Sequence, residues 1–283
     1  MSLAATTTVV LVAFAANSIF ARLALGSGES DALGYTGVRL LSGAIVLFVL
    51  MAWRQRRLSL ALARSGSWTG TIGLGGYALL FSLAYVILET GTGAVVLFAS
   101  VQFGLLGWAV AAGDRPGLLE WAGIAIAFAA LVVLVSPGIA APAPLGVLLM
   151  VGAGLSWCLF TVEGRRSHAP LSDTAGNFIR LVPIACALIL VAWVIQPPQP
   201  MGVVWAVASG ALASGLGYAL WYLVLPRLAP STPAFVQLTV PAIAAAGGVV
   251  FLGEQVTVRL VVASLGILGG VGLTLWASNR RRP

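Results

Sequence analysis

The chain reads as an all-α membrane protein, ten transmembrane helices built as two inverted five-helix repeats. Three observations predict this. Of 283 residues, 60% are hydrophobic and only 8% charged, against about 25% charged in soluble domains. Apolar runs of roughly 20 residues recur from end to end, and each is the length a helix needs to cross hydrocarbon. Finally, the halves resemble each other at a fixed offset.

Spans are expected at about residues 4–25, 33–53, 67–88, 92–112, 118–136, 144–163, 173–195, 201–224, 231–252 and 258–278. Backbone polar groups in lipid must pair internally, so these are helices, and the alternation of a membrane barrel is absent. The first run has no basic start and no clear cleavage site, so it stays as a helix.

All fifteen basic residues are arginine. Arg54, Arg56, Arg57 and Arg64 follow span two, Arg115 follows span four, and Arg165 and Arg166 follow span six. Arg227 follows span eight, and Arg280, Arg281 and Arg282 follow span ten. Alternating spans place all of these at one face, so both termini are expected in the cytoplasm of a bacterial-type inner membrane. The net charge of +7 is then a topogenic signal and not a nucleic-acid patch. Trp53, Trp68, Trp193 and Trp276 fall near span ends, where an interfacial belt is expected. Cys158 and Cys186 fall inside spans as small packers, and the single histidine, His168, falls in a loop. No cofactor, metal site or catalytic cluster is expected. Gly266 and Gly270 form a GxxxG face suited to packing within the chain.

The repeat shows as matched pieces about 140 residues apart. Asp31, Gly34, Arg39 and Leu40 match Asp173, Gly176, Arg180 and Leu181. Tyr77-Ala78-Leu79 matches Tyr218-Ala219-Leu220, and Gly113-Asp114 matches Gly253-Glu254. The first repeat is assigned to 1–138 and the second to 139–283. An odd number of spans per half turns the second half upside down, the arrangement by which secondary transporters expose one site to each side in turn.

These features resemble the drug/metabolite transporter superfamily in its EamA-type branch. The pieces carrying the likeness are Arg39, Ser156-Trp157, and Leu252-Gly253-Glu254 leading to Thr257. Within the family the chain looks most like the YddG-type amino-acid exporters, on length and on the aromatic content of spans three and six. The resemblance implies a basket around a central cavity, with helices one, three, four, six, eight and nine lining it and five and ten outside.

Polar groups at mid-span are the candidate site, because lipid charges several kcal/mol for an unsatisfied one. Asn17, Gln102 and Gln237 are expected to face the cavity. Tyr77, Phe81 and Tyr85 recur every four residues on one face of span three. With Phe98, Trp157, Phe160, Tyr218 and Trp221 they offer a lining for an apolar or aromatic solute. Arg39 and Arg180 stand inside their spans and need a partner. A shared structural or gating role is expected for them, through helix-end carbonyls or Asp31 and Asp173. Pro183 and Pro241, with the glycines opening spans three and eight, point to spans that bend. Spans three and four are expected to rock against eight and nine as gates.

The function expected is export of small amphipathic metabolites, amino acids included, with no covalent chemistry. All eight acids lie near span ends or in loops, so a facilitator or exchanger is expected over a proton-driven pump. The partners expected are a small-molecule solute and the lipid bilayer, without nucleic acid, the protein being a monomer or weak homodimer. The alternatives are a nucleotide-sugar, drug or quaternary-amine carrier, and an integral-membrane lipid-modifying enzyme. The second would need a His, Cys or carboxylate cluster at one face.

Overall fold

The structure, a computed structural model, describes residues 2–56, 62, 64–138, 141–228 and 232–281. Arg57 and Arg282 lie outside the described residues. Among these, ten helices are long and apolar enough to cross a bilayer. They are α1 Leu3–Gly26, α2 Ala32–Gln55, α3 Trp68–Ile87, α4 Thr90–Ala111 and α5 Leu118–Val135. The second set is α6 Pro144–Arg166, α7 Pro170–Ile195, α8 Pro200–Val224, α9 and α10 Val258–Arg281. Two of them are not uniform helices. α8 contains a π-helical stretch, Ala208–Leu216, between α-helical Pro200–Val207 and Gly217–Val224. α9 is split into Thr232–Gln237 and Val240–Leu252 by a turn at Leu238 and Thr239, and Pro241 opens the second piece. Proline has no N–H to give the preceding turn, so the ladder breaks there.

The packing obeys the repeat. α3 lies against α6 as α8 lies against α1, and α4 against α6 as α9 against α1. α2 pairs with α7, α4 with α9 and α5 with α10. Each of these pairings survives exchange of each helix with the one five places along, as two inverted five-helix repeats require. Small residues permit the contacts, since lipid gives no hydrophobic drive between helices and close van der Waals approach must supply it. A Cβ on Gly123 would stand 2.5 Å from the Gly270 carbonyl, and one on Gly266 would stand 2.5 Å from the Ala130 Cβ. The GxxxG face therefore packs α10 on α5 inside the chain. Trp53, Trp68, Trp193 and Trp276 are all exposed near helix ends, as an interfacial belt requires. Cys158 is buried and Cys186 is exposed; both are free thiols.

The two ends of the bundle are tied differently. At the arginine-rich end, Gly66 and Ser67, just before α3, are fastened to α7 and α6. The Gly66 N–H donates to Asp173 Oδ1 at 2.8 Å, and the Ser67 hydroxyl donates to Glu163 at 2.8 Å. At the opposite end, the α9–α10 connection is held by Glu254 to α1 and α4. Asp31 and Asp173, matched in sequence, diverge in use. Asp31 caps α2 by accepting the Leu33 and Gly34 N–H groups, whereas Asp173 turns to the neighbouring Gly66 and Ser167.

Candidate functional site

Aromatic side chains from four helices meet at mid-span. Trp157 on α6 is the hub, with ring centroids 4.6 Å from Tyr77 on α3, 5.3 Å from Phe160 and 5.3 Å from Tyr218 on α8. Phe14 on α1 meets Tyr218 and Trp221 edge-on at 5.9 and 5.7 Å. Edge-on and tilted contacts of this kind suit the ring quadrupole.

Two hollows adjoin this cluster. The larger, about 690 Å³, runs from Gln102, Phe14 and Trp157 at mid-span to Asp114, Arg165 and Asn279 at the arginine-rich end. That volume lies in the range of small-molecule sites, roughly 300–1,000 Å³. The smaller, about 30 Å³, is a chamber walled by Asn17, Tyr77, Phe81, Phe98, Trp157 and Gln237. Gln237 and Trp157 line both.

The structure thus brings Asn17, Tyr77, Phe81, Phe98, Gln102, Trp157, Phe160, Tyr218, Trp221 and Gln237 to the two hollows. Tyr85 goes elsewhere. It is fully buried, its hydroxyl donates to the Thr90 carbonyl at 3.3 Å, and its ring fills the space a Cβ on Gly93 would need. The four-residue spacing on α3 continues past the chamber into the end closed by Glu254, so one face serves two regions. The expectation that helices five and ten stand outside the cavity also changes. Glu120 and Ile124 of α5 and Val271, Thr274 and Ser278 of α10 wall the wide end. These two helices meet backbone to backbone at Gly123 and Gly270, and together they form one wall of the larger hollow.

Among the residues at the site that the sequence analysis does not name are Phe14, Ser209 and Ser214. Phe14 sits one helical turn before Asn17, a spacing that could have flagged it. Ser209 and Ser214, on the π-helical stretch of α8, both donate to Asn17 Oδ1, at 2.8 and 3.3 Å. Nothing in their spacing marks them, because a π-helix shifts the register on which such pairing is judged.

The matched arginines end in unlike surroundings. Arg180 donates to the Arg64 and Gly66 carbonyls at 3.2 and 3.4 Å and to Asn177 Oδ1 at 3.4 Å. Among the described residues Arg39 donates to hydroxyls alone, Tyr77 at 3.1 Å and Ser214 at 3.4 Å, and its guanidinium lies 5.0 and 4.8 Å from the Tyr77 and Phe81 ring centroids.

The far end is sealed by one carboxylate. Glu254 accepts the Thr90 N–H at 3.0 and 2.9 Å, the Thr90 hydroxyl at 3.0 Å and Arg22 Nε at 3.4 Å. Arg22 also donates to the Tyr85 and Val86 carbonyls. An anion at the first turn of α4 answers the positive end of that helix. Beside it Glu89 is pushed above the usual carboxylate value by burial and by Glu254, with Arg22 opposing.

The EamA-like transporter family matches residues 144–276, the second repeat. The uncharacterized protein PA1977 of Pseudomonas aeruginosa is 43% identical over 269 residues, covering 95% of this chain and 93% of its own. The chain belongs to the EamA-like transporter family. It is therefore a multi-pass membrane transporter of the drug/metabolite superfamily and not an enzyme. The threonine/homoserine exporter RhtA of Escherichia coli K12 is 28% identical over 253 residues, covering 86% of this chain and 81% of its own. A solved crystal structure at 21% identity superposes with a TM-score of 0.64, covering 94% of this chain and 97% of that one, and so shares this fold.

Proposed function

We propose that this transporter exports small amino acids across the inner membrane by alternating access, with both termini in the cytoplasm. The observation that carries the reading is the hollow of about 690 Å³ that joins the mid-span aromatic cluster to the arginine-rich end, while Glu254 seals the other end. The positive-inside rule makes the open end cytoplasmic, so solute enters from the cell. The likeness to a protein named as a threonine/homoserine exporter supports the solute class and the direction.

The apolar part of the solute rests on Tyr77, Phe81 and Trp157. Its polar end meets Gln102, Gln237 and Asn17. Asn17 Oδ1 is already taken by Ser209 and Ser214, which leaves its amide N–H groups for the solute. The two repeats, 1–138 and 139–283, exchange their packings to release solute at the far side. The π-helical stretch of α8 and the break in α9 are where those helices bend. Among the described residues no carboxylate lines the small mid-span chamber, Asp114 and Glu120 standing only on the larger hollow, and an acid-free mid-span site argues for an exchanger or facilitator and against a quaternary-amine carrier.

Efflux from proteoliposomes tests this with a panel of amino acids and the variants Trp157→Ala and Gln102→Ala. Export of at least one small amino acid by the native protein is expected, with rates about tenfold lower or less in each variant at equal incorporation. Native rates in both variants would move the site. Accumulation against a solute gradient only under an imposed pH difference would overturn the uncoupled mechanism.

A further inference from the structure

Arg39 is 2% exposed, a third of the way along α2, and forms no ion pair among the described residues. Its Nη1 is buried without a hydrogen-bond partner among them. Its repeat mate Arg180 shows what a purely structural arginine obtains in this fold, namely backbone carbonyls and a side-chain amide oxygen. Arg39 obtains hydroxyls and ring faces, which neutralise no charge. An intramembrane cation left in that condition marks a functional site.

Two routes connect it to the chamber. Tyr77 and Phe81, whose rings it faces, are chamber walls, so a single ring layer separates guanidinium from hollow. A hydrogen-bonded path also runs from Arg39 Nε to Ser214, and from Ser214 to Asn17 at the chamber wall. The π-helical stretch makes the second route possible. Gly210 lets α8 ride against α2 so closely that a Cβ there would sit 2.1 Å from the Arg39 carbonyl. Wide turns of this type recur at functional sites.

We propose that Arg39 is the counter-charge for the carboxylate of the transported solute. A carboxylate in the chamber is held by the field of the guanidinium and, once the Tyr77 ring turns aside, accepts a hydrogen bond from Nη1. The charge is placed for monocarboxylates and not for their neutral or cationic analogues. This rests on the amino-acid reading above, and identifies which group of the solute is recognised.

The test compares matched pairs that differ only in the carboxylate. Threonine and threoninamide are run as inhibitors of amino-acid counterflow in proteoliposomes. Propionate and propionamide are run as ligands of the purified protein, read by tryptophan fluorescence. The native protein is expected to prefer each carboxylate at least ~10-fold, as a charged pair in a medium of low dielectric allows. Arg39→Gln should abolish the preference by weakening the acid alone, leaving the amide within about twofold. Should Arg39→Gln not give a monodisperse protein, Arg39→Lys decides. It keeps a point charge without the planar fork, and should weaken the carboxylate and spare the amide. Equal weakening of acid and amide in the soluble variant, or no preference in the native protein, overturns the proposal. A propionate preference lost with Arg39, in a protein that moves no amino acid, keeps Arg39 and refutes the amino-acid reading instead.

Discussion

Glu254 grips Thr90 by both its N–H and its hydroxyl, joining the α9–α10 connection to the first turn of α4. These residues come from opposite repeats, and Arg22 of α1 completes the contact. One carboxylate thus holds three helices at the end away from the wide hollow. In the repeat, Asp114 is the match of Glu254, and Asp114 stands at the open mouth. Matched positions of the two halves therefore stand in different places, Glu254 holding the first turn of α4 and Asp114 lining the larger hollow.

Glu254→Gln removes charge-assisted bonds, each of which contributes about 1.5–3 kcal/mol. Opening at this end should rise by roughly tenfold to a hundredfold. Hydrogen exchange at the start of α4 reads it directly. Faster exchange confined to the first turn of α4 and the α9–α10 connection is the expected outcome, with α5 unchanged.

Glu89 gives that end a pH dependence. Burial and Glu254 raise its pKa above 4.5 against the smaller pull of Arg22. A carboxyl raised in the folded state binds its proton more tightly there than in the unfolded chain. Its contribution is complete below the unfolded value and is lost as pH rises through the folded one. Thermal melts in detergent should show the native protein losing stability relative to Glu89→Gln as pH climbs out of the carboxylate range. Parallel curves for the two proteins would show that Glu89 does not titrate against Glu254.

Gly210 separates packing from propensity. A Cβ there meets the Arg39 carbonyl and the Ser42 hydroxyl at 2.1 Å, whereas one on Gly107 meets nothing within 4 Å. Gly210→Ala should lower stability by about 1–3 kcal/mol through overpacking of α2 on α8. Gly107→Ala should be neutral or raise it by about 0.5–1 kcal/mol through helix propensity. The difference in melting temperature between the two variants is the readout.

Arg180→Met removes donors to Arg64, Gly66 and Asn177. The segment between α2 and α3 should loosen, and proteolysis there should accelerate several-fold with carboxylate preference intact. Loss of that preference would place Arg180 beside Arg39 in function as well as in sequence.

The ten crossings were legible because lipid enforces a simple rule of length and apolarity, and the repeat was legible because matched residues keep their order. The mid-span amides and most of the rings named from the sequence line the two hollows, and polar groups at that depth stand out because lipid gives them no partner. What stayed hidden depends on register and on partners. The π-helical stretch that turns Ser209 and Ser214 toward Asn17 leaves no mark in composition. Arg39 and Arg180 look alike in the chain, and only their neighbours show that one is satisfied and the other is not. A proton pathway would need an acid at mid-span. The one that seals an end, Glu254, sits in a loop where acids are ordinary.

The most direct test of alternating access uses a single cysteine at Gln102 in a Cys158→Ser, Cys186→Ser background, labelled by a membrane-impermeant maleimide from each face. The account predicts labelling from the arginine-rich face in the otherwise native protein. With Glu254→Gln added, it predicts that labelling appears at the opposite face. Labelling from the opposite face alone in the native background, or an unchanged pattern after Glu254→Gln, would contradict it.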